Sequence, residues 1–386
     1  MNSKSYTADI VVSGAGTAGA VAAIAAADQG KDVVLIEQYG IPGGSATLSL
    51  VTPLMHTGIK GNPMCSYISD EINRRMLDAG ASVGKGDNWL DPMMLGIILE
   101  EMLMERKVKV LYHTTVIGAE TEGKTITCVN IFNKSGHGKV YGKMFIDATG
   151  DADLTKLSGA PFVDGDNFFT YIAYEATLES CEKAVKEKSI GHLYHWINGG
   201  KATLYGQFHP DGMKKYTGTT GEEVTEYVVK NQMELLDSLR GQDPASRDIA
   251  VLPTMPQFRT TRHIKGMYTL KADDAYKHFD DSVCLINDFD RRDYLYEVPL
   301  RCLIAETHKN LLAVGRAASA EGYAWDVLRV IPPAILTGQA AGVAACRAID
   351  EGAAIQDVDI SGLQKALEEK NVYIHMIKEL MPEERL

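Results

Sequence analysis

The sequence is poor in the residues that would make it a stapled, zinc-knuckle or dithiol protein. Its 386 residues hold six cysteines, at 65, 128, 181, 284, 302 and 346, and no two stand in a CxxC or CxxxC relation. That spacing excludes a disulfide framework, a cysteine-based zinc site and a dithiol redox centre, and points to a reducing compartment. Positive charge is scarce as well. Thirty-nine basic against 51 acidic side chains leave a net charge of −12, which disfavours attraction to phosphate backbones or anionic membranes, so neither nucleic acid nor membrane is expected as a partner. GxSxG and HExxH are absent, and His192, His195, His209, His263 and His278 show no ligand-type spacing; no metal is expected.

Long apolar runs are also missing, with one exception. Ile10 to Ala27 is uncharged for 18 residues, the length at which a membrane span has to be considered. Three glycines in six positions, an alanine-rich continuation and closure by Asp28 and Lys31 make it a poor span, and no basic region precedes it as in a signal peptide. A cytoplasmic protein is expected. The apolar fraction of 45% and charged fraction of 23% suit a globular chain with a sizeable core.

The exceptional run has its own explanation. Ala8 to Ser13 reads as a short buried strand, Gly14-Ala15-Gly16-Thr17-Ala18-Gly19 completes GxGxxG, Ala20 to Gly30 is helical, and Asp32 to Ile36 is a second strand ending at Glu37. This is the full βαβ context of a dinucleotide site, with an acid 23 residues beyond the first glycine. Gly14 serves the tight turn, Gly16 the approach of a pyrophosphate, and Gly19 the close packing of helix on strand. The helix N-terminus offers N–H groups to the anion, and Glu37 suits a ribose. These residues leave NAD and FAD both open. Gly43-Gly44-Ser45, a second flexible loop six residues past Glu37, favours FAD.

From here the chain resembles the single-Rossmann FAD-dependent oxidoreductases of the glutathione-reductase-like superfamily, related to fumarate reductase flavoproteins and thiazole synthases. The resemblance covers residues 8–50, 91–162 and 257–372 and leaves most of the middle unmatched. It implies that Gly43, Gly44 and Ser45 meet the pyrophosphate and flavin side, and that Val116 meets the adenine through its backbone. The β-hairpin expected from Thr125–Asn133, a glycine-containing turn at 134–138 and Lys139–Ile146 then corresponds to a β-meander. It leads to Ala148-Thr149-Gly150 beside the dinucleotide. Asn310 to Arg316 reads as a returning strand, and Pro332-Pro333 opens a small-residue helix whose N-terminus, in the resembling family, faces the flavin pyrimidine edge. With Thr17, Ala18, Gln38, Gly315, Arg316, Val330 and Ile331, these residues form the expected cofactor set.

The expected architecture is therefore α/β: a Rossmann-like FAD-binding domain of glutathione-reductase type with a β-meander, in two parts at 1–160 and 301–386, and an inserted α+β substrate lobe at 161–300. Asp91-Pro92 predicts a capped helix from Met93 to Lys107, and Glu222 to Leu239 is the longest helical stretch of the lobe. With no second GxGxxG, the electron donor or acceptor comes from outside.

Seven of the fourteen arginines fall where the lobe rejoins the core, at 259, 262, 291, 292, 301, 316 and 329. In an acidic chain this suggests a recess for an anionic group. Arg291 and Arg292 stand among acids and read as solvent-facing pairs. Arg259 and Arg262, which share a face if their segment is helical, together with Arg301 and Arg329 are the expected substrate anchors. His56 and Tyr296 are the acid/base candidates. The expected function is hydride transfer between flavin N5 and a small carboxylate- or hydroxyl-bearing metabolite. A flavin monooxygenase and a non-redox, thiazole-synthase-like dinucleotide-binding protein are the alternatives, and the residues leave homo-oligomerisation open.

Overall fold

A computed structural model of the chain describes residues 4–52, 64, 66–81, 91–203, 206–291 and 294–385. The N-terminal part runs β1 (Lys4–Thr7), β2 (Ile10–Ser13), α1 (Thr17–Asp28), β3 (Val33–Ile36), α2 (Ile68–Asp78), α3 (Pro92–Glu105), β4 (Lys109–Leu111), β5 (Thr115–Glu122), β6 (Thr125–Asn133), β7 (Gly136–Tyr141), β8 (Met144–Asp147) and α4 (Asp153–Leu157). The middle holds β9 (Phe162–Asp164), β10 (Ile172–Thr177), α5 (Leu178–Glu187), β11 (His195–Asn198), α6 (Gly221–Leu239), β12 (Arg247–Val251) and β13 (Arg262–Ile264). The chain finishes with β14 (Ser282–Asn287), β15 (Leu295–Pro299), β16 (Leu311–Ala313), α7 (Gly322–Leu328), α8 (Ile331–Glu351) and α9 (Ile360–Glu368).

The central sheet is parallel, in the order β16-β8-β2-β3-β4. Its strands are apolar on both faces, as burial on two sides requires. Ile10, Val12, Leu35, Ile146 and Leu312 join the core that contains α1 and α8, whereas Val11, Val34, Phe145 and Leu311 join the core under the β5–β7 meander. Period-two alternation thus serves two cores from one strand set. The result is a layer of helices, a parallel sheet and an antiparallel meander, a Rossmann-like fold.

The small residues of α1 and α8 explain how the helical layer closes. Ten residues of α1, from Thr17 through Ala26, are buried, so the uncharged run at 10–27 is a strand, a turn and a core helix. A Cβ on Gly338 would stand 2.3 Å from Ala18 O, and one on Gly342 would stand 2.5 Å from Ala22 O. The two helix backbones meet without intervening side chains. Among the described residues no single helix is long and apolar enough to cross a membrane. At α3 the Asp91 side chain accepts from the N–H groups of Met93 and Met94, with Pro92 in the first turn, a cap worth about 1 kcal/mol.

Three local expectations change. The arm expected at 139–146 is two strands in different sheets: β7 pairs with β6, whereas β8 pairs with β2 and β16. The break is enforced at Lys143 and Met144, whose N–H groups both donate to Asp9 O. The segment from Arg259 to Arg262 is a loop entering a strand, not a helix, because β13 pairs with β9. Finally, β14 and β15, within the expected lobe, pack in the same core as α8 through Val283, Tyr296 and Val298. Elsewhere in the middle, β10, β11 and β12 form a separate sheet in the order β11-β10-β12, covered by α6.

Candidate active site

The glycine turn between β2 and α1 is built for a ligand on one side and for the sheet on the other. Gly14 has φ +96°, and a Cβ there would meet Ala148 O at 2.4 Å; only glycine fits. Gly19 would clash with Gly14 O in the same way, at 1.9 Å. Gly16 differs: with φ −55° and nothing nearer to its Cβ position than Ala148 O at 3.9 Å, it leaves open space rather than protein contact. That space belongs to a cavity of about 470 Å³.

The second glycine loop docks on the first. Gly43 N–H donates to Ala15 O at 2.8 Å, and Thr17 Oγ1 donates to Gly43 O at 3.0 Å. Glu37, 6% exposed, accepts from Ala15 N–H at 2.6 Å and from Tyr39 N–H at 2.9 Å. Burial pushes its carboxyl above the usual range, and the N–H donors of Tyr39, Ala15 and Gln38 oppose that shift. The acid expected to hold a ribose therefore also fixes the turn that would hold the pyrophosphate.

Two of the helices that reach the cavity, α1 at Thr17-Ala18 and α8 at Val330-Ile331, lack a side-chain cap and an acid in the first turn, whereas α6, which reaches it at Thr220-Gly221, is capped by Thr220 and carries Glu222 and Glu223 there. The positive dipole ends of α1 and α8 are left for an external acceptor, together with the leading N–H groups of α1 and that of Ile331 in α8, where Pro332 and Pro333 follow and carry no N–H. Gly315, where the chain leaves β16, is tied to α8 by its N–H donating to Thr337 Oγ1 at 3.1 Å.

The turn at 148–150 rests on a residue that the motifs do not announce. Asp147 is fully buried; one carboxylate oxygen accepts from Thr149 N–H and Oγ1, the other from Thr155 N–H and Oγ1 at 2.7 Å each. Four donors make its charge tolerable without a cation. Arg316 then braces three segments, pairing with Asp151 at 3.1 Å and donating to Ser45 Oγ at 3.0 Å. Its guanidinium lies on Gly150, where a Cβ would stand 2.5 Å from Arg316 Cζ.

Of the expected cofactor residues, Gly14, Gly16, Thr17, Ala18, Glu37, Gln38, Gly44, Ser45, Val116, Ala148, Thr149, Gly150, Gly315, Arg316, Val330 and Ile331 line this cavity. Gly19 and Gly43 stand behind it as packing and turn residues. Arg259, Arg262 and Arg329 also line it. Arg262 is 4% exposed; its Nη2 donates to Asp153 Oδ1 at 2.6 Å while Nε and Nη1 have no hydrogen-bond partner among the described residues. Arg329 is occupied by Asp326, three residues earlier.

Two of the expected anchor and acid/base residues lie outside the lining. Arg301 forms a bidentate pair with Asp281, 2.9 and 2.8 Å, over the Tyr268 ring. Tyr296 is fully buried in the helical core, its hydroxyl donating to Ala272 O. His56 lies outside the described residues. The cavity adds Asp151, Asp153, Gln257, Phe258 and Phe289. Half of Asp153's side-chain surface is open, but onto the cavity; desolvation there, with Asp151 nearby, raises its carboxyl to about 6, against the pull of Arg262.

A parallel sheet with glycine turns, a ribose-type acid and uncapped helix starts facing one cavity defines a dinucleotide-binding α/β enzyme. The chain belongs to the FAD dependent oxidoreductase family, whose model matches residues 9–168 and 213–367. Digeranylgeranylglycerophospholipid reductase 2 of Methanopyrus kandleri is 34% identical over 133 residues, which is 30% of this chain and 33% of that protein. The match thus spans a third of the relative's length. Similar solved structures include a geranylgeranyl bacteriochlorophyll reductase-like protein from Thermoplasma acidophilum, 12% identical, covering 98% of this chain and 95% of that one, with a TM-score of 0.43. CabE, an aromatic hydroxylase from angucycline biosynthesis, is 16% identical over 94% of this chain and 66% of its own, TM-score 0.49. The myxobacterial chondrochloren halogenase CndH is 14% identical over 94% and 78%, TM-score 0.46.

The cofactor of this family is FAD, and the residues fit it. The Gly16 approach is open, Glu37 retains acceptor capacity, and two uncapped helix N-termini, α1 and α8, line the cavity at Thr17-Ala18 and Val330-Ile331.

Proposed function

We propose that the chain is a dehydrogenase or reductase, with an FAD-binding domain of glutathione-reductase type, acting on a small carboxylate- or hydroxyl-bearing metabolite with an external electron donor or acceptor. When bound, FAD supplies two-electron exchange at its N5 with a substrate carbon. The observation that carries the reading is Arg262: a buried guanidinium on the cavity wall whose Nε and Nη1 lack an acceptor among the described residues. A carboxylate satisfies such a guanidinium bidentately.

The other residues take separable roles. Arg259, beside Arg262, adds positive potential to the same wall. Arg316 holds the Ser45 loop against Asp151 and acts as a brace. Asp153, with its carboxyl at about 6, accepts or returns a substrate hydroxyl proton near neutral pH, the property that general acid–base chemistry needs. Arg301 and Tyr296 have no part in this reading.

The test is anaerobic bleaching of the flavin absorbance with hydroxy acids, enoates, amines and neutral sugars. Bleaching by anionic candidates, lost in Arg262→Ala at unchanged FAD content, is the expected result. Bleaching by neutral sugars alone overturns the anionic substrate class. NADPH-dependent oxygen uptake coupled to hydroxylation replaces the reading with a monooxygenase.

A further inference from the structure

Outside the lining of the cofactor cavity, three side chains converge on one point. His278 lies in the loop before β14, Glu297 in β15, and His375 in the segment after α9. One ligand atom from each lies within 4.8 Å of the other two. Both imidazoles address the same carboxylate oxygen through Nδ1: His375 at 3.0 Å and His278 at 3.2 Å from Glu297 Oε2. The rings lie 4.7 Å apart, tilted by 45°.

Glu297 is 1% exposed. Among the described residues no lysine or arginine pairs with it. Its carboxylate is instead held in place by backbone donors, Phe279 N–H to Oε2 at 2.8 Å and Met376 N–H to Oε1 at 3.0 Å. This leaves a fixed, buried negative charge whose remaining partners are two imidazoles. His278 Nε2 stands 3.3 Å from Asp280 Oδ1. When Nε2 donates there, the neutral ring turns its Nδ1 lone pair towards a carboxylate oxygen, and a cation between them removes the conflict. An outer carboxylate orienting a histidine in this way is the usual support of a metal ligand.

We propose that His278, Glu297 and His375 form a site for a divalent transition metal of the zinc type. Two imidazoles and a carboxylate suit that class. For tetrahedral zinc with bonds of about 2.0–2.1 Å, neighbouring ligand atoms stand roughly 3.3 Å apart, close to the nitrogen–oxygen spacings found here. The remaining coordination position opens to solvent beside His278, whose side chain is 61% exposed. The ion joins the β14–β15 hairpin to the C-terminal segment, whose Val372 and Ile374 enter the helical core. Tyr296, next to Glu297 along β15, belongs to that core, so occupancy acts on the anchoring of the C-terminal segment and leaves the flavin in place.

The test is equilibrium dialysis of the full FAD-loaded protein against Zn²⁺, with metal content and thermal midpoint measured before and after EDTA. One zinc per chain is expected, raising the midpoint reversibly. Loss of outer-shell partners alone costs about 10–100-fold in metal affinity, so His375→Ala and His278→Ala should each weaken binding by at least about tenfold with FAD content unchanged. If His375→Ala also loses FAD, the exposed His278→Ala decides. Zinc uptake unaltered in His278→Ala, or no zinc retained by the unmodified protein at about a hundred micromolar, overturns the proposal.

Discussion

A Cβ on Gly44 would stand 2.8 Å from the Cα of Gly16, so the two glycine loops touch backbone to backbone. Neither loop has room for a side chain between them, and the ligand side of Gly16 is what remains free.

This separates two glycines that look alike in the motif. Gly14→Ala forces a side chain onto Ala148 O at a positive φ and should cost at least about 1–3 kcal/mol of stability. Beyond its chain neighbours, Gly16→Ala meets no atom of the described residues closer than 3.9 Å, so its FAD-free form should melt within about 0.5 kcal/mol of the unmodified chain while the variant retains little FAD. Thermal melts of the FAD-free proteins and FAD titrations distinguish them; equal destabilisation by both would remove the ligand argument for Gly16.

Glu37→Ala deprives the N–H groups of Ala15 and Tyr39 of their acceptor. Leaving buried donors unpaired costs about 1–3 kcal/mol, and the glycine turn loses its fixed position. FAD should dissociate during gel filtration of this variant, whereas Arg262→Ala should elute with a full complement. Retention of FAD by Glu37→Ala would show that FAD binding needs neither the acid nor the turn position it fixes.

Arg262→Ala should raise KM for a carboxylate substrate by ten- to a hundredfold, the range of a charged hydrogen bond worth about 1.5–3 kcal/mol. Arg301→Ala, whose pair with Asp281 lies outside the cavity lining, should leave KM within about twofold, the scale of a surface ion pair worth about 0–1 kcal/mol. Steady-state kinetics on the two variants decides which arginine serves the substrate.

Asp153 gives the site a pH dependence of known sign. Its carboxyl, raised to about 6 by desolvation and Asp151, is neutral below that value and competes less for Arg262. Affinity for an anionic ligand should therefore rise as pH falls through 6, over the window from about 7 to 5. A raised carboxyl also makes ionisation unfavourable to the fold, so this group's contribution to stability is present at low pH and is lost as pH rises through 6. Asp153→Asn should bind the anion as tightly at pH 7 as the unmodified protein does at pH 5, with a flat profile between. A sloped profile in Asp153→Asn would assign the titration to another group.

The cofactor half of this site is legible in the sequence because its parts are local. The turn, α1 and Glu37 lie within about two dozen residues, and the distance between Ala15 and Glu37 is 22. The arginines are harder to read, because a guanidinium's role depends on which acid reaches it. Arg301 meets Asp281 from 20 residues away, Arg262 meets Asp153 from 109, and only folding sorts the pair outside the cavity from the one within. Asp147 is hard to read from the sequence for a related reason: its four donors become neighbours only once the 148–155 turn exists. The aspartates at 147, 151 and 153 around Ala148-Thr149-Gly150 are the signal the sequence offers.

The packing of α1 on α8 carries a consequence for how the chain is made. Cys346 Sγ reaches Ala26 O across 320 residues of sequence, so the alanine-rich helix that begins the nucleotide site leaves the ribosome long before its partner exists. Until α8 arrives, α1 has one face uncovered and the central sheet lacks its β16 edge. Contacts of such separation fold late and leave apolar surface exposed in the meantime. Biosynthesis therefore runs opposite to the motif order: the first residues written for the cofactor are among the last to become able to hold it.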